Sequence, residues 1–127
     1  MTKLVIDTSV LIDYLRGGML WEHIIEAEKD AVFYIPTVVI FELFSGKSSQ
    51  LPRNEQKIKN MLHYFQRVEL TEEIAKRAGE LYRDISKTLQ VPDYIIAASA
   101  LTVGGKVLTL NKKHFQQIPG LAIYSLT

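Results

Sequence analysis

Three acids stand out for where they lie along the chain. Glu42 sits inside Val38-Val39-Ile40-Phe41-Glu42-Leu43-Phe44, a helical stretch that reads as apolar all round and is therefore expected to be buried. A lone buried carboxylate costs several kcal/mol or more unless a cation or hydrogen-bond donors meet it. Asp7 ends the apolar run Leu4-Val5-Ile6, and Asp93 precedes a helix of small and apolar residues, Tyr94 to Leu101. Each acid also has a plain structural explanation. Glu42 could pair with a Lys or Arg from elsewhere or reach water at a helix edge, and Asp7 and Asp93 could cap helix N-termini, where free N–H groups and the helix dipole favour a carboxylate. As a set they point further. Hard oxygen ligands of this kind suit Mg²⁺ or Mn²⁺, which take carboxylates, water and substrate phosphate. A phosphodiester is the natural substrate, cleaved by a water activated at one ion or two.

The elements that must position these acids alternate between strand and helix. Lys3 to Asp7 reads as a buried strand, followed by a helix from about Ser9 to Arg16 that stops at Gly17-Gly18. Asp7-Thr8-Ser9 offers three possible caps in a row. Leu20 to Glu28 is a second helix, Ala31 to Ile35 a strand, and Pro36 opens a third helix that runs to Gly46. Asn54 to Gln66 places Ile58, Met61, Leu62 and Phe65 on one helical stripe, and Arg67 to Leu70 follows as a short strand. Thr71 caps a long helix with the stripe Ile74, Ala78, Leu81, Tyr82, Ile85 and Leu89, and with Glu72/Lys76 and Glu73/Arg77 pairs on its wet side. Pro92 begins another helix that Gly104-Gly105 ends; Lys106 to Leu110 and Ala122 to Ser125 are the last strands, with Pro119 between them.

Parallel neighbours need crossover connections, and here the crossovers are helical. The expected fold is therefore α/β: one three-layer α/β/α domain over residues 1–127, with a mostly parallel central sheet of four to five strands. Ligands in such sheets lie beyond the carboxyl ends of the strands, which is where Asp7 and Asn111 fall.

At this point the motifs resemble a known family. Val5-Ile6-Asp7-Thr8-Ser9-Val10-Leu11-Ile12, then Glu42 in an apolar helix, then Asp93-Tyr94-Ile95-Ile96-Ala97-Ala98-Ser99-Ala100, then Leu108-Thr109-Leu110-Asn111 with His114-Phe115, is similar to a PIN-domain nuclease, most of all the VapC toxin type. The resemblance spans nearly the whole chain. It implies a PIN-like fold, RNA cleavage leaving a 5′-phosphate, a homodimer, and inhibition by a small VapB-type antitoxin. Carried over by position, Asp7, Glu42 and Asp93 match the family's metal-binding acids. Ser9 matches a polar residue supporting the first acid, and Thr109 a hydroxyl lining the site. Asn111 stands where many members carry a fourth acid. An amide can bind metal or orient water but adds no negative charge, so the expectation is one ion in the free protein and a second recruited only with RNA.

Other features narrow the reading. Cys is absent, which excludes disulfides, thiolate zinc sites and Cys nucleophiles. No leader pattern opens the chain and no apolar run approaches the roughly 20 residues that cross a bilayer, so a cytoplasmic protein with no membrane partner is expected. Net charge is +1, so polyanion binding must come from local clusters. From Leu43 to Val68, Lys47, Arg53, Lys57, Lys59 and Arg67 outweigh Glu55; Lys106 to His114 adds Lys106, Lys112 and Lys113 with no acid. On charge alone, each cluster reads first as an ordinary solvated face. Leu15, Met19, Leu20 and Trp21 form an apolar group that could receive an antitoxin segment or belong to the core.

Three rivals fall to missing residues. Gly46-Lys47-Ser48 mimics the end of a phosphate-binding loop, but the first Gly of that motif would fall at Phe41. A haloacid-dehalogenase phosphatase needs a second Asp where Ser9 stands, and a receiver domain an acidic pair after the first strand. His23 and His63 read as surface or structural residues, and His114 alone among the histidines falls near a motif. A catalytically weak PIN-like module that only binds RNA or protein remains the alternative function.

Overall fold

The computed structural model describes residues 1–46, 52–85 and 88–126. Lys47 and Ser48, and the part of the expected Thr71–Leu89 helix at 86–87, lie outside them. Eleven elements follow in order: β1 (Lys3–Ile6), α1 (Thr8–Leu15), α2 (Leu20–Ala27), β2 (Val32–Pro36), α3 (Thr37–Ser45), α4 (Pro52–Leu62), β3 (Phe65–Val68), α5 (Glu72–Asp84), α6 (Val91–Val103), β4 (Lys106–Leu108) and α7 (Lys112–Phe115).

The sheet has four strands in the order β3-β2-β1-β4, all parallel. Successive crossovers carry the chain from β1 outward to β3, and a last one brings it back to β4 on the other side of β1. With right-handed crossovers that reversal places α1 to α4 on one face and α5 and α6 on the other, giving three layers. The burial of β1 agrees. Leu4, Val5 and Ile6 are consecutive, so they point alternately to both faces, and all three are fully buried.

Local chemistry explains the joints nearest the site. β1 and β4 are tied at their carboxyl ends, where the Asp7 N–H donates to the Leu108 carbonyl at 2.9 Å. α6 ends on Gly104, at φ +72°. Gly105 then lets β4 lie against β1, since a Cβ there would meet Val5 Cγ2 at 3.0 Å and the Lys3 carbonyl oxygen at 3.1 Å. Ala97, Ala98 and Ala100 of α6 are fully buried, so this helix sits close to its neighbours, and the position of Asp93 at its start is well determined.

Four expectations need correction. The third strand begins at Phe65, two residues early, because Phe65 is buried against Trp21 (5.0 Å, stacked) and pairs in register with Phe33 instead of extending the α4 stripe. Ala122 to Ser125 makes one parallel bridge, Ile123 to Val107, in place of a fifth strand. α3 is not buried all round: Val39 and Leu43 face the core, while Phe41 is 67% and Phe44 40% exposed. Lys76 pairs with Glu80, the next turn along, where a pair with Glu72 was expected. Of the apolar group around Gly17-Gly18, Trp21 is core, buried among Phe33, Tyr64 and Phe65, Leu15 and Leu20 pack partly buried against the core, and Met19 is 54% exposed. Among the described residues no helix is long and apolar enough to cross a membrane.

Candidate active site

Asp7 immediately follows β1 and is 3% exposed. It occupies the position before α1, yet its side chain makes no capping bond. Its Oδ2 instead accepts two hydroxyl hydrogen bonds, from Ser9 at 2.7 Å and Thr109 at 2.7 Å. Both hydroxyls are themselves fixed by backbone. The Leu110 N–H donates to Ser9 Oγ at 3.0 Å and the Asn111 N–H to Thr109 Oγ1 at 2.8 Å. Residues just past β1 and just past β4 thus form one hydrogen-bonded unit around a single carboxylate oxygen.

Glu42 reaches the same region from the second turn of α3. Its Oε1 accepts the Thr8 hydroxyl at 2.6 Å. Thr8 is therefore a holder of Glu42 and not a helix cap, a role that nothing in Asp-Thr-Ser announces. Asp93 is the third residue of α6 and completes a reciprocal capping box with Gln90, whose N–H donates to Asp93 Oδ2 at 3.3 Å. The capping explanation for Asp93 is thus true, and it leaves the other oxygen available.

The three carboxylates share one electrostatic environment. Burial, opposed by the Thr8 hydrogen bond and reinforced by the charges of Asp7 and Asp93, raises the pKa of Glu42. Burial also raises that of Asp93, with the Gln90 N–H and His114 pulling it down and Asp7 pushing it up. No Lys or Arg forms an ion pair with any of the three among the described residues. One oxygen of each acid is anchored: Asp7 Oδ2, Glu42 Oε1 and Asp93 Oδ2. The second oxygen of each, Asp7 Oδ1, Glu42 Oε2 and Asp93 Oδ1, accepts no hydrogen bond from a described residue.

Among the described residues no three acidic or histidine side chains close into a preformed metal cage. The donor set fits a hard divalent ion: carboxylate oxygens only, each braced on one side and open on the other. Asn111 enters the network through its backbone. Its side chain is exposed and lines a cleft with Lys112, Lys113 and His114, and only its backbone N–H joins the network. His114, exposed in that cleft, acts on Asp93 through its charge, a relation that sequence spacing alone did not carry.

Comparison with known proteins bears on this arrangement. The family model of the PIN domain matches residues 4–121. The chain is 34% identical over 125 residues to Ribonuclease VapC19 of Mycobacterium tuberculosis, covering 91% of this chain and 94% of that protein. It is 32% identical over 128 residues to Ribonuclease VapC1 of Methanocaldococcus jannaschii, covering 97% and 88%. Among solved structures it is similar to VapBC2 from Rickettsia felis bound to a DNA fragment from the promoter, with TM-score 0.85, 20% identity, and 97% and 98% coverage. A toxin-antitoxin complex from Klebsiella pneumoniae aligns with TM-score 0.80, 27% identity, and 98% coverage of both chains.

Proposed function

This chain belongs to the PIN domain family, and from that premise we propose that it is a metal-dependent endoribonuclease, the toxin of a toxin-antitoxin pair. One observation carries the chemistry: three carboxylates from three separate elements, without a Lys or Arg ion pair among the described residues, each with one oxygen braced and one open. Structural acids in this setting are normally neutralised by Lys or Arg; acids that await a divalent ion are not.

Asp7, Asp93 and Glu42 are the residues that would hold Mg²⁺ or Mn²⁺. Bound there, such an ion supplies Lewis-acid chemistry, offsetting phosphate charge and easing deprotonation of water. The chain's own groups do the rest. Ser9 and Thr109 fix the orientation of Asp7, and Thr8 fixes Glu42. Burial and mutual repulsion raise the proton affinity of Glu42 and Asp93 in the metal-free protein, a cost that a divalent ion held by them would relieve. Asn111 offers an amide at the edge of the site that can orient water or phosphate.

The substrate is RNA, the regulator a small VapB-type antitoxin, the working form a homodimer and the compartment the cytoplasm. Support for the antitoxin comes from the similar solved structures, which are VapBC and toxin-antitoxin complexes, and support for RNA from relatives named ribonucleases. Incubation of purified protein with RNA and Mn²⁺ is the test. Cleavage that stops with EDTA and returns with excess Mn²⁺ is expected, together with growth arrest on expression that a co-expressed neighbouring small protein relieves. A folded, Mn²⁺-binding protein that leaves every RNA intact would refute the enzyme and favour a binding module.

A further inference from the structure

Most basic side chains singled out in the Leu43–Val68 cluster turn out to be engaged within the protein. Lys57 donates to the Tyr14 carbonyl and lies 4.4 Å from the centre of its ring, Arg67 donates to the carbonyls of Leu62 and Phe65, and Lys59 pairs with Glu55. The turn after β4 is different. Asn111, Lys112, Lys113 and His114 line a cleft of about 520 Å³ with no acidic residue in its wall, and none of the three basic groups has an ion-pair partner among the described residues. The turn is also firmly placed. Phe115 is fully buried beneath it, and the Asn111 N–H is bonded to Thr109, which holds Asp7. His114 is close enough for its charge to act on Asp93.

A cationic cleft tied through Thr109 to one of the three acids suits a ligand with a negative charge at each repeating linkage. The acids need metal to tolerate the reacting phosphate, and neighbouring phosphates need cations of their own. We propose that the Asn111–His114 cleft is a phosphate subsite for single-stranded RNA, in which Lys112, Lys113 and His114 hold a backbone phosphate adjacent to the one being cut. The subsite rests on the ribonuclease reading for its role in cleavage, but binding alone can test it.

The experiment measures fluorescence anisotropy of a labelled single-stranded RNA of about 12 nucleotides as a function of salt, in EDTA, with the wild-type chain and with Lys112→Gln/Lys113→Gln and His114→Gln. All three side chains are exposed, so folding should survive; thermal melting checks it, and Lys112→Arg/Lys113→Arg should restore binding. Each phosphate neutralised on a single strand contributes about 0.7 to the slope of log K against log salt. The Lys112→Gln/Lys113→Gln protein should therefore lose about 0.7 from that slope, for the one phosphate the cleft holds, and bind roughly 5-fold more weakly at 0.1 M salt. An unchanged slope, or a loss seen with duplex DNA and not with RNA, overturns the subsite, as does a wild-type chain that binds no RNA. A lowered RNA slope in a protein that cuts nothing with Mn²⁺ supports the subsite and rejects the ribonuclease reading instead.

Discussion

Thr109→Val isolates the bracing of Asp7. Thr109 is 1% exposed, and its hydroxyl both donates to Asp7 Oδ2 at 2.7 Å and accepts from the Asn111 N–H at 2.8 Å. Valine has nearly the same shape, so no cavity opens and the change removes these two bonds together with a longer hydroxyl contact to Ser9 Oγ at 3.4 Å. A hydrogen bond to a charged group contributes about 1.5 to 3 kcal/mol. The Asn111 N–H belongs to an exposed residue that water can reach, so its loss adds only about 0.5 kcal/mol. Ser9 still holds Asp7 Oδ2, which keeps the carboxylate from being stranded. The metal-free protein should lose about 2 to 3.5 kcal/mol in urea unfolding with an unchanged m-value. Thr109→Ser keeps both bonds and gives up one buried methyl, about 1 kcal/mol. Groups that orient a metal ligand commonly change metal affinity by about 10- to 100-fold, so calorimetric Mn²⁺ binding should weaken by that factor in the valine variant and hardly at all in the serine variant. Stability within about 0.5 kcal/mol of wild type for Thr109→Val, or equal damage from both substitutions, would show that this hydroxyl does not hold Asp7.

Three further outcomes follow from the same carboxylates. Asp7→Asn, Glu42→Gln and Asp93→Asn each keep an oxygen for the existing hydrogen bond and remove one of three mutually repelling charges, so RNA cleavage should vanish while the metal-free melting temperature holds or rises; full activity in Asp93→Asn protein contradicts the site. Burial raises the folded-state pKa of Glu42 and Asp93, so these groups bind protons more tightly folded than unfolded: their penalty is complete above the raised values and is relieved as pH falls through them toward the ordinary carboxylate range. Wild-type stability in EDTA, measured relative to Glu42→Gln/Asp93→Asn protein, should rise across that window, and a flat difference refutes the coupling. Asn111→Asp places a carboxylate at an exposed position, where a charge about 4 Å from a divalent ion gains at most roughly 2 kcal/mol before screening, so Mn²⁺ affinity should improve by less than about tenfold; no change in affinity or cleavage would show that position 111 does not face the ion.

The parts of this molecule that were legible in sequence are those that local pattern controls. Leu4-Val5-Ile6 announces a strand covered on both faces, and Gly104-Gly105 announces the end of α6 and the close start of β4. Failures came where two local patterns competed. Phe65 completes a helical stripe with Ile58, Met61 and Leu62, and it also begins a strand; only the tertiary match to Phe33 and Trp21 decides between them. Exposed Phe41 and Phe44 made α3 look buried, because composition cannot tell which side of an apolar helix meets the sheet.

Asp7, Glu42 and Asp93 could be picked out as candidates because acids next to apolar runs are costly wherever they end up. Their support could not be read the same way. Thr8 lies 34 residues from Glu42, and Thr109 lies 102 from Asp7. The Thr109 pairing exists only once β1 and β4 lie side by side, and the Thr8 pairing only once β1 lies beside β2, the strand that leads into α3; the Asp-Thr-Ser run thereby changes from three rival caps into two separate clamps, Thr8 on Glu42 and Ser9 on Asp7. Because Thr109 bonds Asp7 with its hydroxyl hydrogen and the Asn111 N–H with its oxygen, the turn carrying Lys112, Lys113 and His114 cannot shift without disturbing the buried acid.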